Sequence, residues 1–383
     1  MKLEQIAELV TDKWNPGDSK EYYIGLEHIE GGIGKLSGVG STEDIQSNKT
    51  HFKKDDILFG KLRPYFRKVV HVNFSGVCST DIWVVRAKEG VDQKFLYYLM
   101  YSQEFVDLSM KASSGTRMPR ANWKFLSQTE WHLPPLSKQK EIAHMLSVFD
   151  EKIEVLRKEN QALEELAQII YKRWFVDFNF PDEQGNPYRE KGGEMVESEL
   201  GVIPKGWRVG KLGEFAEVTM GQSPKGVSYN EAGEGVIFFQ GRAEFTERFP
   251  QIRLYTTQPN RIAKENSVLM SVRAPVGDIN VASEDCCIGR GLASVYHKDY
   301  NSFVLYFMQK KKDHFEIYNQ QGTVFGSIKK DDLNNIELAL PEIESPLIEF
   351  DANVHTLDEK YFYNSRQIHT LSESKERLMA KLI

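Results

Sequence analysis

Two heptad seams of equal length constrain this chain of 383 residues more than any other feature. Between Lys138 and Asp177, Ile142, Leu146, Phe149, Ile153, Leu156, Asn160, Leu163, Ala167, Ile170 and Trp174 follow one another at alternating steps of four and three. That spacing puts them on one stripe of a long helix, which needs a partner helix to cover it. The same alternation recurs near the C-terminus at Phe350, Val354, Leu357, Tyr361, Asn364, Ile368, Leu371, Lys375, Leu378 and Leu382. One Asn interrupts each seam, and a buried amide opposite a Leu would lose its hydrogen bonds, so the expected pairing is antiparallel with Asn160 facing Asn364. Ile142 then meets Leu382, Leu146 meets Leu378 and Trp174 meets Phe350, and only Phe149 opposite Lys375 is a polar layer. Ser137, and Ser345 followed by Pro346, are the expected N-caps. A helix of this length is a strut of roughly 55 Å.

A chain this long has room for two or three domains. Its net charge of -6 is unevenly spread: residues 1–137 and 200–341 are each +1, whereas 138–199 and 342–383 carry -5 and -3. The acidity belongs to the helices and linker, which leaves the globular segments free to carry basic faces. No apolar run approaches a membrane span, and MKLEQIAELV has acids and no signal-peptide core, so the expected compartment is the cytoplasm, with no membrane. Cys78, Cys286 and Cys287 make no disulfide or metal pattern and read as small buried hydrophobes.

The chain repeats itself at a spacing near 208 residues. Lys2-Leu3 through Leu9 matches Lys211-Leu212 through Val218, Arg63-Pro64 matches Arg273-Ala274-Pro275, Phe95 to Met100 matches Phe303 to Met308, and Gly115-Thr116 matches Gly322-Thr323. Leu133-Pro134 and Leu340-Pro341 then lead into the two heptad helices. Short β-type runs (57–59, 69–72, 82–85; 236–239, 267–272, 292–296) and one helix per half (93–110 and 302–319) give an α+β fold: two repeated α/β domains separated by two long helices forming an antiparallel coiled coil. The expected divisions are a first domain at 1–137, a spacer helix at 138–177, an exposed turn-rich linker at 178–206, a second domain at 207–341 and a C-terminal spacer helix at 342–383.

Catalytic signatures are absent: there is no phosphate loop, dinucleotide turn, HExxH or CxxC, and no Asn-Pro-Pro-aromatic motif. Basic clusters interleaved with aromatics are present instead. Lys49 to Val70 includes Lys61, Arg63 and Arg67 among Phe52, Phe59, Tyr65 and Phe66, and Lys111 to Lys124, around Thr116, Arg117 and Arg120, has no acid. The second half offers Gln222, Gln240, Arg242, Arg248, Arg273, Arg290, Thr323 and Lys329. Guanidinium and amide side chains on such loops suit phosphates and base edges, so Lys61, Arg63, Arg67, Thr116, Arg117, Arg120, Gln222, Gln240, Arg242, Arg273, Thr323 and Lys329 are the candidate DNA-binding set, with Asn160 and Asn364 setting the helical register. Any one of them, taken singly, is as readily a solvated surface residue; the repetition in both halves carries the reading.

Several segments resemble the specificity subunit of type I restriction-modification systems. They are Ile57 to Tyr65, Leu133 to Leu136, Tyr171 to Phe178, Gly192 to Met195, Gly201 to Trp207, Val272 to Gly277 and Gly289 to Gly291. The resemblance spans essentially the whole chain. It implies two target-recognition domains, each reading half of a split, asymmetric DNA target, with the paired helices fixing the gap. It also implies two modification (methyltransferase) subunits docked on the helices, together with restriction subunits. S-adenosylmethionine, ATP and Mg would belong to those partners, and this chain would hold no cofactor and do no catalysis. The specificity component of a related system that cuts on both sides of its site, an enzyme with divergent motifs, and a coiled-coil scaffold that binds no DNA are the alternatives.

Overall fold

The computed structural model describes residues 1–111, 113, 118–320 and 326–383. It has two compact units: Met1–Arg157 with Arg366–Ile383, and Lys158–Ser365. Each contains a globular half and a stretch of both long helices.

In the first unit, a helical turn at Leu3–Ile6 feeds strand Ala7–Val10, which begins a four-stranded antiparallel sheet continuing through Ile82–Ala87, Ile57–Gly60 and Val69–His71. A five-stranded sheet runs Lys13–Trp14, Lys49–Phe52, Gly76–Cys78, Tyr22–Ile24, Gly40–Ser41, with Tyr22–Ile24 and Gly76–Cys78 parallel. The second unit repeats the plan. Glu217–Met220, Leu292–Tyr296, Val268–Ser271 and Ile279–Val281 form its four-stranded sheet, and the second sheet again has one parallel pair, Val236–Phe239 with Cys286–Ile288. The α+β duplication expected from the internal repeat is thus the observed fold.

Each helix expected to follow the sheet is in fact two. In the first unit Gln93–Tyr101 stops and Gln103–Lys111 starts at Ser102, whose extended backbone (ψ 151°) breaks the ladder. The Ser102 hydroxyl donates to Leu99 O (2.7 Å) and accepts from Phe105 N–H (3.2 Å), ending one helix and capping the next. In the second unit the break falls at Lys311, between Asn301–Lys310 and Lys312–Gln320. Phe95, Leu96, Leu99 and Met100, and their counterparts Phe303, Val304, Phe307 and Met308, are buried against the sheets and long helices. Each such large side chain contributes about 1.5 to 3 kcal/mol by leaving water. All three cysteines are buried in strands, and burial pushes the Cys78 and Cys286 thiols up to about 12.

The long helices span Leu136–Phe175 and Ser345–Leu382. The first starts two residues and the second one residue earlier than the expected caps Ser137 and Ser345 allow: Pro135 O accepts from Lys138 and Gln139, and Glu344 O accepts from Leu347 and Ile348. The antiparallel register is the expected one. In the second unit the Trp174 and Phe350 rings lie 6.0 Å apart, and Asn160 and Asn364 are both buried at one level. The amides do not bond each other. Asn160 Nδ2 donates to Ser365 Oγ (3.2 Å) and Asn364 Nδ2 to Glu159 Oε2 (3.0 Å), so each amide nitrogen bonds the residue beside its opposite number, while the buried Asn160 Oδ1 accepts no hydrogen bond from the described residues. In the first unit Lys375 reaches past Phe149 to Asp150 Oδ1 at 2.6 Å, with its ammonium 4.9 Å from the Tyr101 ring centre. This pairing explains a lysine on an apolar seam.

The linker is exposed along most of its length, as expected from its Pro, Gly and Asn content, and it is also a folded element. Met195–Ser198 and Gly201–Pro204 form a hairpin. Phe178, Phe180 and Ile203 are buried, and Phe180 stacks on Tyr188 (4.8 Å) and Trp207 (5.2 Å) beside Tyr171 and Phe175 of the central helix.

Candidate nucleic-acid interface

The repeated turns after the second sheet strand position most of the candidate residues. In the first unit, Ile57–Gly60 and Val69–His71 are the arms of a hairpin whose connection carries Lys61, Arg63 and Arg67. A single helical turn at Pro64–Phe66 is flanked by left-handed Arg63 (φ 51°) and Arg67 (φ 50°). That backbone costs of order 1 to 3 kcal/mol at each non-glycine residue and persists only where neighbours impose it. They do: Arg63 N–H donates to Pro119 O (2.7 Å), Ala121 N–H to Lys61 O (2.8 Å), and Leu62 bridges Arg120. The turn and the segment returning at Met118 therefore form one surface, bearing Lys61, Arg63 and Arg120. Ile57 to Thr80 and Leu108 to Thr129 contain no acid; carboxylates reach this region from elsewhere, Asp81 lying 3.3 Å from Arg120 Nε and Glu376 pairing with Arg67.

The second unit builds the same junction from Val272 to Pro275 and Gly326 to Ile328. Arg273 bridges Ser327, Ala274 N–H donates to Gly326 O (3.0 Å), and Ile328 N–H to Val272 O (3.1 Å). Val272 N–H also donates to Gly291 O (2.9 Å), which ties Arg273 to the loop of Arg290. Three loops crowd there: Gln222 N–H donates to Ile288 O and Gly289 N–H to Phe239 O. A Cβ on Gly221 would sit 2.2 Å from Gly289 O, and one on Gly289 would sit 2.7 Å from Gln240 O. Only glycine permits this approach, which gathers the exposed Gln222, Gln240, Arg273 and Arg290. Exposed Arg242 pairs with Asp278 across the neighbouring turn, and Lys329 caps the helix Lys330–Asn334 with its side chain exposed. Thr116, Arg117 and Thr323 lie outside the described residues.

Two arginines read from the sequence as available to DNA are committed inside the fold. Arg248 is 6% exposed and grips both long helices. Its Nη1 donates to Glu164 Oε2 (2.6 Å) and Tyr306 Oη (3.2 Å), its Nη2 pairs with Asp358, and its guanidinium carbon lies 4.7 Å from the Tyr361 ring centre. Burial opposes its charge, but Asp358, Tyr306 and Glu164 outweigh burial and hold its pKa above the usual arginine value. Arg67 lies 3.9 Å over the Tyr101 ring, donates from Nε to Tyr101 O (2.7 Å) and pairs with Glu376 of the C-terminal helix. Its structural partners, far away in sequence, are what a reading of the local basic cluster misses. The two units share a further device at the repeat spacing: Tyr98 Oη donates to Asp150 (2.7 Å) and Tyr306 Oη to Asp358 (2.8 Å).

The family model of the type I restriction modification DNA specificity domain matches residues 1–165 and 204–348. A Methanocaldococcus jannaschii chain named for the specificity subunit of the type I restriction enzyme MjaX is 33% identical over 401 residues, covering all of this chain and 90% of that one. The specificity subunit of the type I restriction enzyme HindI of Haemophilus influenzae is 23% identical, with 90% of this chain and 89% of that one covered. The solved S subunit of a type I restriction-modification system from M. genitalium aligns over 100% of this chain and 95% of its own at a TM-score of 0.58 and 16% identity, a likeness of fold. Among the described residues no helix is long and apolar enough to cross a membrane.

Proposed function

The chain belongs to the family of type I restriction-modification specificity subunits, and from that premise we propose that it reads a split, asymmetric target in double-stranded DNA, one half through each unit. The repeated junction supports this reading most: two turns of the same construction, each pinned by a second loop, present Lys61, Arg63 and Arg120 in one unit and Arg273 and Arg290 in the other. Rigid loops that carry bases and amides suit phosphate contacts for register and base-edge contacts for sequence. Arg67 and Arg248 have a different role in this reading, holding each recognition half against its helices.

The paired helices would set the gap between half-sites, as protein geometry does for other readers with paired modules. They would also dock two modification subunits, which bring S-adenosylmethionine and methylate one adenine in each half, while restriction subunits bring ATP and Mg chemistry. This chain would choose the site and organise the assembly. The test is capture of sheared host DNA by the complex of this chain with its modification subunits. Enrichment of fragments sharing one gapped motif is expected, and enrichment without a shared motif refutes the reading. Methyl transfer by the chain alone would refute its non-catalytic role.

A further inference from the structure

The turn at Pro64–Phe66 presents two large aromatic side chains to solvent: Tyr65 is 49% exposed and Phe66 46%. Their rings touch each other, with centroids 4.6 Å apart at 51°. Exposed aromatics on a mobile loop would be unremarkable, but this turn is fastened on every side. Pro64 is buried, Phe66 N–H donates to Arg63 O, and Arg67 N–H donates to Pro64 O (2.7 Å). Gly32 N–H donates to Arg67 O, and Arg67 itself is anchored to Tyr101. An unusual backbone, imposed by its surroundings at two non-glycine residues, thus holds an apolar wedge outward.

Its surroundings identify what it would meet. The wedge rises from acid-free sequence bearing Lys61, Arg63 and Arg120, with the exposed Met118 on the segment pinned beside it. A basic rim around an apolar tip complements a polyanion whose interior is stacked and apolar. Among the described residues, the matching turn of the second unit carries no equivalent: Ala274 and Pro275 are at the surface, and Val276 is buried.

We propose that Tyr65 and Phe66 form a wedge that inserts against a base step in the half-site read by the first unit, partly unstacking it, while the second unit reads its half without one. The inference rests on the DNA-reading function above. Apolar side chains driven between base steps are an established way for a protein to deform DNA and gain contact with it. The two halves of the target would then differ in deformability as well as in sequence, since steps that unstack easily cost less at the wedge.

The experiment compares the wild-type chain with the double variant Tyr65→Ser, Phe66→Ser, each assembled with its modification subunits. The probe is a duplex carrying the motif enriched from host DNA, with 2-aminopurine placed in turn at each position of each half-site. The wild-type complex should raise 2-aminopurine fluorescence at one step of one half only. The double variant should lose that rise and bind roughly 5- to 150-fold more weakly, the range for losing an aromatic contact to a base. Its slope of log affinity against log salt should be unchanged, because no phosphate contact is removed, whereas Arg120→Ala should lower the slope by about 1. Tyr65→Phe combined with Phe66→Tyr should restore the fluorescence signal. A double variant that melts like wild type and matches it in affinity and fluorescence would overturn the wedge while leaving DNA reading intact. One that no longer co-purifies with the modification subunits would make the turn a protein interface and also overturn it. A wild-type complex that binds no such duplex would remove the underlying function as well.

Discussion

Replacing Arg248 by Met should unfasten the second recognition half from both long helices. The substitution keeps the length and apolar stem of the side chain but removes the charge shared by Glu164 and Asp358, which are themselves only 21% and 17% exposed. Removing one partner of a buried ion pair costs about 3 to 5 kcal/mol, because the remaining charge loses its compensation. Asp358 keeps hydrogen bonds from Ser302 Oγ (2.6 Å) and Tyr306 Oη (2.8 Å), which favours the lower end of that range. For a unit of about 200 residues each kcal/mol moves the melting point by roughly 2 to 4 °C, so a fall of about 6 to 12 °C is expected for the second unit. Hydrogen exchange on the full chain can assign the loss: amides of Leu292–Tyr296 and Asn301–Lys310 should lose protection while those of Ile82–Ala87 keep theirs. Adding Glu164→Gln and Asp358→Asn to the Met variant should recover much of the difference, since the uncompensated charges are then gone. An Arg248→Met chain that melts and exchanges like wild type would refute the clamp.

Leu156→Ala, at a fully covered seam position, should destabilise the helical pair by about 2 to 5 kcal/mol, read as early proteolysis within Leu136–Phe175; Leu371→Ala should cost less, because Leu371 is only half-buried. Asp351 should make stability fall with rising pH. Burial raises its carboxyl to about 6 against an ordinary value of 3.8, and the amides of Ser302 and Phe303 that it accepts from only partly oppose this. The folded state therefore holds more protons than the unfolded state between about pH 4 and pH 6. The cost of ionising it is absent below that window and fully present above it. Asp351→Asn should accordingly raise the melting temperature at pH 7.5 and leave it unchanged at pH 3.5, and an equal effect at both values would contradict the assignment.

The long-range order of the chain was legible because it is periodic. Alternating steps of four and three are a geometric statement about one face of a helix, and two seams with one Asn each admit a single antiparallel register, in which Trp174 meets Phe350. The repeat located equivalent strands and turns for the same reason. Roles that depend on contacts between distant segments were not legible. Arg67 and Arg248 look like surface bases until Glu376, Glu164 and Asp358 come alongside, and nothing local distinguishes them from Arg273 or Arg120. The folding of the exposed linker was not legible because its turn residues outnumber its aromatics, whereas three rings, Phe178, Phe180 and Tyr188, suffice to pack it around Trp207. Gly221, Gly289 and Gly291 were the available signal for the clustered loops of the second unit. Glycines recurring in separate loops mark places where backbones touch.

The most direct test of two-unit recognition is a genome-wide map of N6-methyladenine in the host with and without this gene. The account predicts that deletion abolishes methylation at one asymmetric motif made of two short specified halves and an unspecified gap. It further predicts that Arg273→Ala with Arg290→Ala loosens sequence preference in one half while the other stays fixed. Methylation lost at a single ungapped motif, or both halves loosened together by that variant, would contradict it.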